Sequence, residues 1–116
     1  MLTNDDISLP DNYSPPRDVA VLGRGKRYIK HEGNCRLRQL VQSELPAYLA
    51  AFNRKDKSAI ILRVLQTMRR NSESNVGLVR HDTLTGKWTL VDDGTARVSI
   101  AQLFRDALSV YYKSSK

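Results

Sequence analysis

Two apolar stripes of helical period run through the middle of this chain, and they restrict its fold more than any other feature. Leu37, Leu40, Val41, Leu45, Tyr48, Leu49 and Phe52 recur at steps of three and four, and Ile60, Ile61, Val64, Leu65 and Met68 repeat the pattern after a polar break. That spacing places apolar side chains on one face of a helix. Each such face must be covered, so the two helices pack on one another or on a sheet. The first is predicted to start after Gly33 with Asn34 as its N-cap. Pro46 lies inside its pattern and removes one backbone hydrogen bond, which leaves a kink near Glu44 or a restart with Pro46 in a first turn. The second, from about Asp56 to Arg70, carries Lys57, Arg63, Arg69 and Arg70 off its apolar face.

The flanking segments supply strands. Asp18 to Leu22 is a short apolar run ended by Gly23, long enough for one buried strand and too short for a helix. Val76 to His81 and Lys87 to Val91 flank the turn-forming stretch Asp82 to Gly86, which predicts a hairpin with Trp88 as its packing anchor. Asp92 to Thr95 supplies a turn and cap for a last helix bearing Ile100, Leu103, Phe104, Ala107, Leu108 and Tyr111. The expected fold is therefore α+β: one small domain over residues 18–112, with three helices packed on a short N-terminal strand plus the hairpin. Residues 1–17, with three prolines among Asn, Asp and Ser, read as a flexible acidic arm, and 113–116 as a frayed tail.

Charge narrows the functional classes. The chain carries a net charge of +7; residues 1–16 hold three acids and no bases, whereas residues 17–80 hold fourteen bases and five acids. A contiguous +9 segment favours phosphate or an acidic partner. No apolar run reaches the roughly 18 residues of a membrane span, and the first residues do not read as a signal peptide. The expected location is intracellular, in the nucleus rather than the cytoplasm. Cys35 has no second thiol to pair with and is expected as a buried residue inside a helix. His31, Cys35 and His81 match no metal-ligand spacing, and the serines and Cys35 lack a nucleophile motif, so neither metal, cofactor nor catalysis is expected.

Gly23-Arg24-Gly25-Lys26 follows the first strand as phosphate loops do, but the nucleotide signatures fail. A Walker A loop needs a longer spacing and a Ser or Thr after the lysine, where Arg27 stands, and a dinucleotide fingerprint needs a glycine where Tyr28 stands. Two readings stay open: backbone N–H groups with Arg24 and Lys26 holding an anion, or glycines serving unusual backbone angles while Arg24 pairs with an acid such as Asp18. Next to this loop, His31 and Asn34 read first as a capping arrangement, with His31 bonded to backbone, and second as helpers in phosphate binding.

The residues Asp18-Val19 through Leu22-Gly23-Arg24-Gly25-Lys26, then His31-x-Gly33-Asn34, Tyr48, Lys57, Trp88 and Ala96-Arg97, resemble the family called domain of unknown function 6824, known mainly from algal genomes. The resemblance spans about residues 18–108. It departs from the family pattern at Val76-Gly77-Leu78-Val79, where the pattern has Gly-Arg-Phe-Leu, and at Ser99, where the pattern has a basic residue. It implies the domain limits and no established activity.

The expected function is a nucleic-acid-binding module, DNA before RNA, in which Arg24, Lys26, Arg27, Lys30, Arg36, Arg38, Lys57, Arg69 and Arg70 contact the sugar-phosphate backbone. Gly23, Gly25, His31, Gly33, Asn34 and Trp88 are expected to shape the structure around them. The alternative is a non-catalytic domain that recognises an acidic protein.

Overall fold

The computed structural model describes residues 8–23 and 27–114. A short strand β1 (Ala20–Leu22) is followed by helices α1 (Glu32–Ala50) and α2 (Arg54–Arg70). A 3-10 turn at Glu73–Asn75 leads to strands β2 (Leu78–His81) and β3 (Trp88–Leu90), and helix α3 (Asp93–Ser114) closes the domain. The α+β architecture and element order match the periodicities of the sequence. Pro46 lies within one continuous α1, so the restart at Pro46 does not occur. The cap of α2 is Asn53, whose side chain accepts from the Asp56 amide at 2.8 Å, and α2 therefore begins two residues before the expected Asp56.

Pairing is where the tertiary structure adds most. β2 and β3 form the expected antiparallel hairpin, but β1 also joins, parallel to β2, with Ala20 opposite Leu78 and Val21 opposite Val79. A parallel neighbour needs a long crossover. The α1–α2 pair is that crossover, giving a three-stranded sheet in the order β1-β2-β3.

Alternation along the strands gives each sheet face its own apolar layer. Ala20 and Leu78 face the helices and join Leu37, Val41, Val64, Leu65, Met68, Ile100 and Phe104 in the main core. Within it the rings of Tyr48 and Phe104 stack, with centroids 4.3 Å apart. Val19, Val21 and Val79 face the other way, into a smaller cluster completed by Leu9, Tyr13, Tyr28, Trp88 and Leu90.

Part of the stretch read as a flexible arm, residues 8–13, belongs to that second layer. Ser8 bridges to Thr89, the Leu9 amide donates to the Trp88 carbonyl at 2.8 Å, and the Tyr13 and Trp88 rings lie 6.0 Å apart. The physical reason is that, among the described residues, the helices cover one face of the sheet and not the other. The other face would expose Val19, Val21 and Val79 to water, and Leu9 and Tyr13 cover them. The acidic residues Asp5 and Asp6 lie outside the described residues. At the other terminus α3 continues through Lys113 to Ser114, past the expected limit at 112.

Candidate functional site

The segment that joins β1 to α1 concentrates the basic residues of the sequence. From Arg24 to Arg38 the chain has six bases and one acid, Glu32. Arg24, Gly25 and Lys26 lie outside the described residues. Gly23 ends β1 in an exposed position, and residues 27–30 form turns that lead to α1.

What holds this segment is the His31-Glu32-Gly33-Asn34 step, and the contacts are structural. His31 takes the N-cap position with extended backbone but makes no side-chain cap bond. Its Nε2 instead lies 3.1 Å from the Pro16 carbonyl and 2.9 Å from that of Val19. Gly33 is buried so closely against β1 that a Cβ there would sit 1.9 Å from the Val19 oxygen. The Asn34 amide accepts from the Val21 N–H at 2.7 Å and donates to the Val21 carbonyl at 2.9 Å. Asn34 is thus not the N-cap expected from sequence. It sits in the first turn of α1, where its side chain imitates a neighbouring strand and satisfies the outer edge of β1. The Asn34 amide is thus occupied by the β1 backbone and His31 Nε2 by the carbonyls of Pro16 and Val19 just before it, which is the arrangement in which His31 bonds to backbone. Glu32 completes the clasp through an ion pair with Arg17 at 3.0 Å.

The other expected contacts separate into distinct places. Arg27, Lys30 and Arg36 are exposed around the start of α1, with the Arg27 guanidinium 5.7 Å from the Tyr28 ring centroid. Arg38 is half-buried; its Nη2 donates to the Ile29 carbonyl at 2.6 Å and to the Cys35 sulfur at 3.3 Å, which ties α1 to the preceding turn. Cys35 lies in α1 as expected but is half-buried, not buried, because it faces the turn at Ile29 near the helix start and not the core. Arg69 is paired with Asp93 at the start of α3, so its charge is largely compensated. Arg70 is exposed at the end of α2. Lys57 lies over the Tyr48 ring at 5.3 Å, about 20 Å along α2 from Arg70. The described bases of that set therefore do not form one cluster: Lys57 and Arg70 lie at opposite ends of α2, while Arg27, Lys30, Arg36 and Arg38 fall close together in the chain around the start of α1.

Among the described residues the ion pairs join Arg17 to Glu32, Arg63 to Glu44 and Arg69 to Asp93. Arg27, Lys30 and Arg36 have none. Trp88 is the packing anchor the sequence suggests: Tyr28 meets it edge-on at 6.2 Å and His81 lies 4.6 Å away. Tyr28 is thereby engaged in the layer under the sheet.

Sequence reasoning missed a cleft beside this segment. Val21, Leu22 and Gly23 at the end of β1, Leu37 and Arg38 on α1, and Val98, Ser99, Gln102 and Leu103 on α3 surround a volume of about 680 Å³. One of its walls, α3, comes from the far end of the chain from β1 and α1, so no local pattern signals it. The close approach of Gly33 did leave a signal: a glycine in the first turn of a helix, where no turn requires one, marks a place where another backbone comes near.

The family model described as Domain of unknown function (DUF6824) matches residues 18–106 of the 116-residue chain. No curated protein and no solved structure matches it.

Proposed function

We propose that this chain, which belongs to the DUF6824 family and takes no assigned activity from that membership, is a nucleic-acid-binding module that grips the phosphate backbone of duplex DNA. The observation that carries the reading is the group Arg27, Lys30 and Arg36, exposed around the start of α1 and without ion-pair partners among the described residues. Charges left unneutralised by the fold are available to release counterions from DNA. The sequence adds Arg24 and Lys26 immediately before them. Lys57 and Arg69 leave the proposed contact set, the first because it lies over Tyr48, about 18 Å along α1 from Arg36, and the second for its partner Asp93.

The mode is phosphate contact in preference to base stacking, because Tyr28 is engaged by Trp88 and Arg27. That favours duplex over single strands, which are gripped largely through stacking on aromatic rings. Binding of this kind is independent of sequence, involves no catalytic step and belongs with DNA in the nucleus.

Titration of a labelled duplex at several salt concentrations tests it. The logarithm of the affinity should fall linearly with that of salt, and Arg27→Ala, Lys30→Ala and Arg36→Ala should each flatten the slope by about 1, while Lys57→Ala and Arg69→Ala leave it unchanged. Absence of binding at low salt, or a slope indifferent to the first three substitutions, overturns the reading.

A further inference from the structure

The cleft beside Gly23 does not end at Leu103. A second hollow of about 250 Å³ shares Arg38 and Leu103 with it and continues between α1 and α3 past Val41 and Ala107 to Val110. Together they form one groove. From Val98 to Val110 it runs about 18 Å, the length of roughly twelve helical residues. Its rim carries apolar side chains left in water: Val98 is 66% and Val110 63% exposed.

In the middle of this apolar groove stands one cation. Arg38 lines both hollows, and among the described residues its hydrogen bonds, to the Ile29 carbonyl and the Cys35 sulfur, both leave from Nη2. Among the described residues no carboxylate pairs with it. The groove's own acid, Asp106, accepts from Gln102 through Oδ1 and lies toward the Val110 end. An occupant that matches this pattern presents an apolar stripe with a carboxylate at its centre.

The walls decide the occupant's conformation. Two helices offer no unpaired main-chain groups, and the nearest strand edge, at Val21, is already filled by Asn34. An extended peptide would leave its own backbone unpaired against these walls, whereas a helix satisfies its backbone internally. We infer that the α1–α3 groove is a docking site for a short amphipathic helix of a partner protein, with apolar residues at i, i+3 or i+4, and i+7, and an Asp or Glu placed to meet Arg38. The inference stands on the groove and not on DNA binding.

The test uses the full chain as bait for a phage-displayed library of random 16-residue peptides, followed by synthesis of an enriched peptide and measurement of its affinity. Enriched peptides should combine apolar residues at helical spacing with an acid. Affinity should fall at least tenfold for Val98→Asp and for Arg38→Glu, and exchanging the peptide's acid for lysine should restore binding to the Arg38→Glu protein. Circular dichroism checks that both variants fold. Val98→Asp alters an exposed side chain and keeps the test decisive if Arg38→Glu disturbs the turn it braces. Arg27→Ala should leave peptide binding intact, which separates this site from the proposed DNA contact. A library that yields no binder, or binders indifferent to both groove variants, overturns the inference. So does sedimentation that shows a concentration-dependent dimer abolished by Val98→Asp, because the groove would then belong to a second copy of the chain.

Discussion

Replacing Gly33 with alanine separates local propensity from tertiary fit. In an isolated helix the change should stabilise by up to about 1 kcal/mol, since glycine is the poorer helix former. Here the added Cβ would lie 1.9 Å from the Val19 oxygen, 2.2 Å from the Val19 carbonyl carbon and 2.8 Å from the Ala20 nitrogen, all of them backbone atoms that cannot rotate aside. Ordinary contact begins near 3.4 Å, so α1 and β1 must separate by about 1.5 Å. The Asn34 bonds of 2.7 and 2.9 Å and the His31 contact of 2.9 Å would then all exceed hydrogen-bonding range. Three bonds at about 1 kcal/mol each, with about 1–3 kcal/mol for overpacking and a gain of about 1 for propensity, give a net loss of about 3–5 kcal/mol. For a domain of this size that lowers Tm by more than about 10 °C. Urea and thermal unfolding followed by far-ultraviolet circular dichroism and Trp88 fluorescence measure it. Gly94→Ala, in the first turn of α3, is the control: its Cβ meets only the Asp92 carboxylate oxygen at 3.2 Å, and the change should move stability by less than about 1 kcal/mol. A Gly33→Ala protein as stable as the parent would refute the claim that the helix docks on the backbone of β1.

Other perturbations address the remaining layers. Asn34→Ala leaves both polar groups of Val21 without their partner and should cost about 1–3 kcal/mol, with faster amide exchange at Val21 as its local signature. Phe104→Ala removes a fully buried ring stacked on Tyr48 and should cost about 3–5 kcal/mol in chemical denaturation. Leu9→Ser with Tyr13→Ser should uncover the second sheet face, shifting Trp88 emission to longer wavelength while α1 to α3 retain their helicity; unchanged emission would show that residues 8–13 do not cover it. In the hairpin, the Leu84 amide donates to Asp82 Oδ1 at 2.9 Å and holds that carboxyl below its ordinary value near 3.8, with help from Thr85 and the nearby His81. A depressed carboxyl stabilises above its unfolded pKa and ceases to as pH falls through the folded one. The turn should therefore loosen only below about pH 3.8, seen as a shift of the Leu84 amide resonance, and Asp82→Asn should abolish that transition.

Much of the fold follows from local patterns. The stripes of α1, α2 and α3 are dictated by side chains within a few residues of one another, and the hairpin by its turn residues and flanking apolar runs, so each could be read without knowing the rest. The concentration of charge between Arg24 and Arg38 was equally legible, because charge is a property of composition. What no local pattern contains is which elements meet. β1 pairs with β2 across more than fifty intervening residues, a choice made by the helices packed over both. Asn34 has the chemistry of an N-cap and the position of a strand partner, and only the nearness of Val21 decides between them. Leu9 and Tyr13 look like part of a polar arm until a bare sheet face is present to be covered. The nine bases followed the same division: sequence determined that they are abundant and contiguous, and the tertiary structure decided that Arg69 is paired, that Lys57 is remote, and that Arg38 faces a groove. Identity and charge belong to single residues, while partnership depends on distances that exist only once the chain has folded.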